Sequence, residues 1–354
     1  MIILLLGCSG FIGSHLLTRL LKKDNYRIFG WDLESKKIDH FLPSKNFYFT
    51  QADVLAKDSF ESLKKQITDV DMVINLAAIC NPAMYNTRPL DVIKSNFLDV
   101  HQIVDLCATH GKWLIHASTS EIYGRTLSSY YNDNYADKSL YILKEDQTPL
   151  VMGPIRNQRW SYACAKQLLE RYIYAHHYEN SLDFTIIRPL NFFGPEMDYI
   201  PGIEGDGTPR VLACFLGALL NNEPMYLVDG GRARRTITSI HDAIDAIEKI
   251  IERPGVSKNK IYNIGNVNNE VSMKELAEKM RSIFAKLYDN ADYLNHPIEE
   301  MDSKIFYGEG YEDCDRRMPD ISLAMNDLDW SPKILINDIL EETIRYYLKK
   351  HNKL

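Results

Sequence analysis

Ile2-Ile3-Leu4-Leu5-Leu6-Gly7-Cys8-Ser9-Gly10-Phe11-Ile12-Gly13 decides the fold class. Five apolar residues closed by a glycine read as a strand buried on both faces of a parallel sheet. Ser14 to Lys22, which follows, carries apolar residues at helical spacing. Strand, glycine turn and helix in this order give G-x-x-G-x-x-G its meaning. Gly7, Gly10 and Gly13, with Phe11 and Ile12 between them, let the backbone approach a pyrophosphate at the helix N-terminus. A second strand, Tyr26 to Trp31, ends in Asp32, about twenty residues past the last glycine, where a carboxylate accepts both ribose hydroxyls of a dinucleotide. An acid there repels a 2′-phosphate, so NAD is the expected cofactor rather than NADP.

Outward from this turn, further buried strands are predicted at Phe47–Thr50, Met72–Leu76, Trp113–Ala117 and Phe184–Pro189, with Lys260–Ile264 returning to the same sheet. A long helix is predicted from Pro89 to about Cys107, and others at 160–178, 210–221, 241–252, 272–288 and 335–350. Strands alternating with helices mean an α/β fold of the Rossmann type, a doubly wound parallel sheet. Residues 125–158 form a polar connection long enough to be a lid or binding loop. After Pro189 the alternation breaks down, which calls for a second, smaller unit.

Composition narrows the class of partner. The chain has 354 residues, 45% hydrophobic and 25% charged, an ordinary globular balance. A net charge of −7 argues against nucleic acid and anionic membrane surfaces and for a small molecule. The six cysteines show no C-x-x-C spacing, so neither a disulfide framework nor a metal site is expected, and a reducing cytoplasmic setting fits best. The apolar start is too short to span a bilayer.

The chemistry centres on Arg159-Trp160-Ser161-Tyr162-Ala163-Cys164-Ala165-Lys166. On a helix, Tyr162 and Lys166 fall one turn apart on one face. A nearby ammonium lowers the phenol from its usual value near ~10, which suits it to take a proton from a sugar hydroxyl. In a chain with 21 tyrosines the pair alone arises easily by chance, so its weight comes from the glycine turn upstream. Ser118-Thr119-Ser120-Glu121 stands at the carboxyl end of a strand, where ligands bind in open parallel sheets; a polar cap of the next segment is the competing reading. Ala77 and its neighbours leave room for a flat cofactor. Cys80 is either a filler thiol, which its residue type favours, or an acid–base group at the edge of the site. Asp53 reaches the adenine or sits in a solvated loop. Arg232, Arg234 and Arg235 beside a glycine turn read as pyrophosphate clamps. A segment dense in glycine, aromatic residues and charge runs from Tyr307 to Asp320.

Together the glycine turn, Thr119, Tyr162-x-x-x-Lys166 and Arg188-Pro-x-Asn191-x-x-Gly-Pro195 resemble the extended short-chain dehydrogenase/reductases that act on nucleotide sugars. The likeness covers nearly the whole chain. Asn75–Cys80, Tyr85–Asp91, Gln158–Gln167, Ile200–Ile203, Thr208–Phe215 and Phe306–Tyr311 are most similar to the NAD-dependent UDP-glucuronate decarboxylases, the group that includes the UDP-apiose/UDP-xylose synthases. The resemblance implies an NAD-binding domain of residues 1–190 with about 236–264. It implies a discontinuous nucleotide-sugar domain of 191–235 and 265–334, a terminal helix at 335–354, and a homodimer built on the helices near 91–107 and 160–178.

It also implies roles. Tyr162, Lys166 and Thr119 carry the redox step; Glu121, Arg159 and Arg317, with Ser120 beside them, carry decarboxylation. Asn191, Arg210, Arg232, Arg235, Tyr311 and Asp313 hold the nucleotide sugar. The apiose-forming relatives resemble this chain at Cys80 but carry Cys where it has Ser120. A hydroxyl is a far weaker acid than a thiol, so the product balance is expected to move toward xylose or a released 4-ketone. Epimerisation or dehydration of another nucleotide sugar, and a catalytically inactive NAD-binding regulator, are the competing expectations.

Overall fold

The structure, a computed structural model, describes residues 1–131, 136–308 and 312–353. Seven strands build one parallel sheet: β1 (Ile2–Leu6), β2 (Arg27–Asp32), β3 (Phe47–Gln51), β4 (Met72–Asn75), β5 (Trp113–Ala117), β6 (Phe184–Pro189) and β7 (Lys260–Ile264). Their order is β7-β6-β5-β4-β1-β2-β3, so the direction of winding reverses between β1 and β4. That reversal opens a crevice at the carboxyl ends of these two strands. All seven strands expected from the sequence are present; β2 stays extended one residue further and so includes Asp32.

Alternation along β1 sorts its side chains between two cores. Ile3 and Leu5 pack with Leu16, Leu20, Ile244 and Ile247 on one face. Leu4 and Leu6 pack with Val73, Val104, Leu114, Leu169 and Ile173 on the other. Burial of this kind contributes about 1.5–3 kcal/mol for each large apolar side chain and explains why these strands read as unbroken apolar runs.

The predicted helix from Pro89 to Cys107 is interrupted. Pro89–Ile93 is α-helical, Lys94–Leu98 takes a π-helical turn, and His101–Thr109 resumes the α-helix. Buried Asn96 explains the break: its Nδ2 donates to the Val92 carbonyl four residues back and to the Ile79 carbonyl, both at 2.9 Å, inserting a side chain into the helical ladder.

A second, four-stranded sheet is assembled from distant pieces: Glu270–Ser272, Arg234–Thr236, Arg316–Pro319 and Ile142–Leu143. The last of these lies within the long 125–158 connection, where no strand was expected. Its parallel register sets Arg235 opposite Arg317, and these two cations need an anion between them.

Candidate active site

The turn after β1 is shaped for close approach. Gly7 has φ +81°, and a Cβ on Gly13 would lie 2.0 Å from the Gly7 carbonyl oxygen. The helix Phe11–Leu20 starts at Gly10 with no side-chain cap, so its first N–H groups face the crevice. Asp32, at the end of β2, accepts the Ser9 and Leu33 N–H groups at 2.7 Å each, and burial raises its carboxyl. The Ala77 N–H donates to the Asn75 side-chain oxygen at 3.2 Å. Asp53 is exposed and accepts the Leu55 N–H at 2.9 Å.

From this turn a cavity of about 630 Å³ runs past the ends of β4, β5 and β6 into the second sheet. Phe11, Ile12, Cys80, Thr119, Ser120, Glu121, Arg159, Tyr162, Lys166, Asn191, Arg210, Arg232, Arg235 and Asp313 all line it. Arg317 stands behind that lining, 3% exposed, against Glu121. Tyr311 lies outside the described residues.

Tyr162 and Lys166 occupy the first turns of the Ser161–Asn180 helix, both buried. Thr119 hydrogen-bonds the phenol. One expectation is overturned: Tyr162 is not lowered but pushed up, chiefly by burial, with Cys80 and Glu121 adding to it. Lys166 donates to the Ala117 carbonyl at 2.9 Å, and burial lowers it to about 8. Both groups are therefore drawn toward their neutral forms, because the pocket disfavours either charge.

Glu121 sits between two guanidinium groups. Arg159 Nη2 lies 2.5 Å from one carboxylate oxygen, and Arg317 Nη1 bonds the other. Burial alone would raise this carboxyl; the charges of Arg159 and Arg317 outweigh it and hold it far below the usual carboxylate range. Further along, Arg235 pairs with Asp313 at 2.6 Å and Arg210 with Asp198 at 3.1 Å, while Arg232 is exposed at the cavity. Arg234 turns the other way, to Glu270 and Glu275. Asn191, at φ +46°, donates to the Thr236 carbonyl.

Residues 3–265 match the family described as NAD dependent epimerase/dehydratase. The chain belongs to that family. It is 46% identical to UDP-D-apiose/UDP-D-xylose synthase 1 of Arabidopsis thaliana, over 97% of this chain and 90% of that protein. It is 44% identical to UDP-D-apiose/UDP-D-xylose synthase of Oryza sativa subsp. japonica, over 99% and 90%. Among solved structures it is similar to the PbgP3 protein from Burkholderia pseudomallei, with a TM-score of 0.83 and 34% identity over 98% of this chain and 96% of that one. The UDP-glucuronic acid 4-epimerase from Bacillus cereus shares the fold at a TM-score of 0.78 and 23% identity, over 99% and 100%.

As in any member of an NAD-dependent epimerase/dehydratase family, the cofactor must fit the residues present, and it does. The glycine turn leaves no side chain in the way, the helix starts with no side-chain cap over its first N–H groups, and the Asp32 carboxylate lies beside the turn, bonded to the Ser9 N–H.

Three groups of residues around this site had no role assigned from the sequence, although Tyr85, Trp160 and Arg188 stand in the stretches that carry the family resemblance. Tyr85, on the Pro82–Thr87 helix, stacks on Tyr162 and lies under the Arg159 guanidinium, 5.4 Å from its ring centre. Trp160 donates to Glu312 at 2.8 Å, joining the Arg159 turn to the segment that carries Asp313. Buried Glu170 binds Ser118 and Arg188, and Arg188 also donates to Tyr123 at 2.7 Å, a polar floor beneath the 118–121 turn. Glu170 lies one turn beyond Lys166 on the same helix face, a spacing that pointed to it.

Proposed function

We propose that the protein decarboxylates UDP-glucuronate oxidatively, through a UDP-4-keto-hexuronate, to give UDP-xylose and/or UDP-apiose. The observation that carries this reading is the Arg159–Glu121–Arg317 cluster set in one cavity with Tyr162. Guanidinium forks match carboxylate geometry, so the cluster suits a substrate that brings a carboxylate of its own. The relatives named for apiose and xylose synthesis support the same class.

Tyr162, oriented by Thr119, takes the proton of the sugar 4-hydroxyl, with Lys166 one turn away anchored on the Ala117 carbonyl. NAD, when bound, would supply the hydride chemistry at C4, with no net change of the cofactor over a cycle. With C4 a ketone, the C5 carboxylate belongs to a β-keto acid; as CO2 leaves, the bonding electrons move into the ketone oxygen. The protonated Tyr162 hydroxyl stabilises that oxygen, and a proton drawn from solvent is passed to C5 by way of Glu121 with Ser120 beside it. Arg210, Arg232 and Arg235 hold the diphosphate, with Asn191 at the nucleotide end and Asp313 holding Arg235 in place. Ser120, a weaker acid than a thiol, moves the balance away from UDP-apiose, toward UDP-xylose or a released 4-ketone.

The same reading divides the chain into an NAD-binding part (1–190 and about 236–264) and a sugar-nucleotide part (191–235 and 265–334). A homodimer is supported by exposed Leu90, Leu98, Leu168, Tyr174 and Tyr178 on the 89–109 and 161–180 helices. Six free thiols support a cytoplasmic location; among the described residues no helix is long and apolar enough to cross a membrane. The test is UDP-glucuronate carrying 13C at its carboxylate. Labelled CO2 should be released in the presence of NAD, and quantitative recovery of label in the sugar would sink the reading.

A further inference from the structure

Five alternating charges run through the site: Arg235, Asp313, Arg317, Glu121 and Arg159. Arg235 Nη2 is 2.6 Å from one oxygen of Asp313. The other Asp313 oxygen is 3.9 Å from Arg317 Nη2, too far for a hydrogen bond. Arg317 is buried, and among the described residues its Nε and Nη2 donate to nothing, although its Nη1 is committed to Glu121. A buried guanidinium with open donors is costly and favours any acceptor brought within reach. One such acceptor is the far oxygen of Asp313, which accepts the Cys314 N–H at 2.8 Å while its companion oxygen is paired to Arg235.

We infer that Asp313 is a relay: a diphosphate that captures Arg235 releases Asp313 to the open edge of Arg317, which loosens Arg317 from Glu121. This rests on the reading above, in which the diphosphate meets Arg235 and Glu121 handles the proton. Two facts favour the transfer. The strand register fixes Arg235 beside Arg317, so Asp313 changes partners by a small movement. Glu121 starts clamped by two cations and exchanges no proton near neutral pH until one of them lets go. The decarboxylation end is thus armed only when the nucleotide end is filled, and the coupling is reciprocal. Asp313 is on this account a positioning residue that makes no catalytic contact.

The isosteric Asp313→Asn tests it. With Arg235 no longer held by an anion, UDP alone binds at least threefold more tightly by calorimetry. With no charge to draw Arg317 away, kcat for CO2 release falls at least tenfold. UDP binding that is unchanged or weaker, or an unaltered kcat, overturns the relay. A crystal structure of the unmutated protein with UDP gives an answer independent of that variant's folding: Asp313 within hydrogen-bond distance of Arg317 supports it, and Asp313 still paired to Arg235 contradicts it. If the unmutated protein releases no CO2, the functional reading fails, while UDP binding and the UDP structure still decide the relay.

Discussion

Tyr85 lies face to face with Tyr162, ring centroids 4.9 Å apart and planes within 9° of parallel. The stack packs against the phenol of Tyr162, and the Arg159 guanidinium lies 5.4 Å from the centre of the same Tyr85 ring. One aromatic ring therefore orients both the base and an arginine of the carboxylate cluster. Such pairs contribute about 0.5–1.5 kcal/mol beyond burial. Tyr85→Phe should keep kcat within about twofold, and Tyr85→Leu should lower it by roughly 2- to 13-fold at similar thermal stability. Steady-state kinetics on the two variants checks this.

Tyr162→Phe should fold, bind NAD and lose turnover by about 10²–10⁴, the range that one positioned acid–base group supplies. Calorimetric NAD titration alongside the rate assay separates loss of chemistry from loss of cofactor. Residual activity near that of the unmutated protein would remove Tyr162 from its role.

Glu121→Gln takes away the anion between Arg159 and Arg317. Breaking a buried ion cluster by removing one partner costs about 3–5 kcal/mol. The effect carries a pH signature. The folded carboxyl is held below its unfolded value of about 4.3, so its stabilisation is fully present above that pH and is lost as pH falls toward the folded value. The gap in urea midpoint between the unmutated protein and Glu121→Gln should be widest near neutrality and narrow below about pH 4.

Gly13 and Gly255 make a matched pair. A Cβ at Gly13 meets the Gly7 carbonyl at 2.0 Å, whereas nothing lies within 4 Å of one at Gly255. Gly13→Ala should cost about 1–3 kcal/mol by overpacking and abolish NAD binding. Gly255→Ala should leave both unchanged, and thermal melts with and without NAD read out the contrast.

Arg188 and Glu170 form a buried pair under Ser118, 2.7 Å apart. Arg188→Met alone strands the Glu170 charge and should destabilise by about 3–5 kcal/mol, while the double Arg188→Met, Glu170→Met change should recover much of that loss. Denaturant melts of the two proteins decide it.

The sheet was legible because its strands are apolar on both faces and closed by glycine or a polar turn, a signal that is local in the chain. The glycine turn and Asp32 were legible for the same reason. What closes the site is not local. Glu121 and Arg317 meet across 196 residues, and only resemblance to a family, not spacing, brought them together on paper. The π-helical turn at 94–98 was hidden because it depends on where the Asn96 amide finds an acceptor. The phenol of Tyr162 was expected to be lowered by Lys166, but proximity in sequence does not reveal that burial acts on both groups and that the lysine bonds the Ala117 carbonyl. Tyr85 stands in a stretch that carries the family resemblance, but nothing local in the chain tied it to Tyr162.

The most direct test of the account is NMR identification of the sugar nucleotide formed when the protein is incubated with UDP-glucuronate and NAD. A UDP-pentose, with UDP-xylose prominent and no net NADH, is the predicted result; a UDP-hexuronate epimerised at C4 with its carboxylate intact would contradict it.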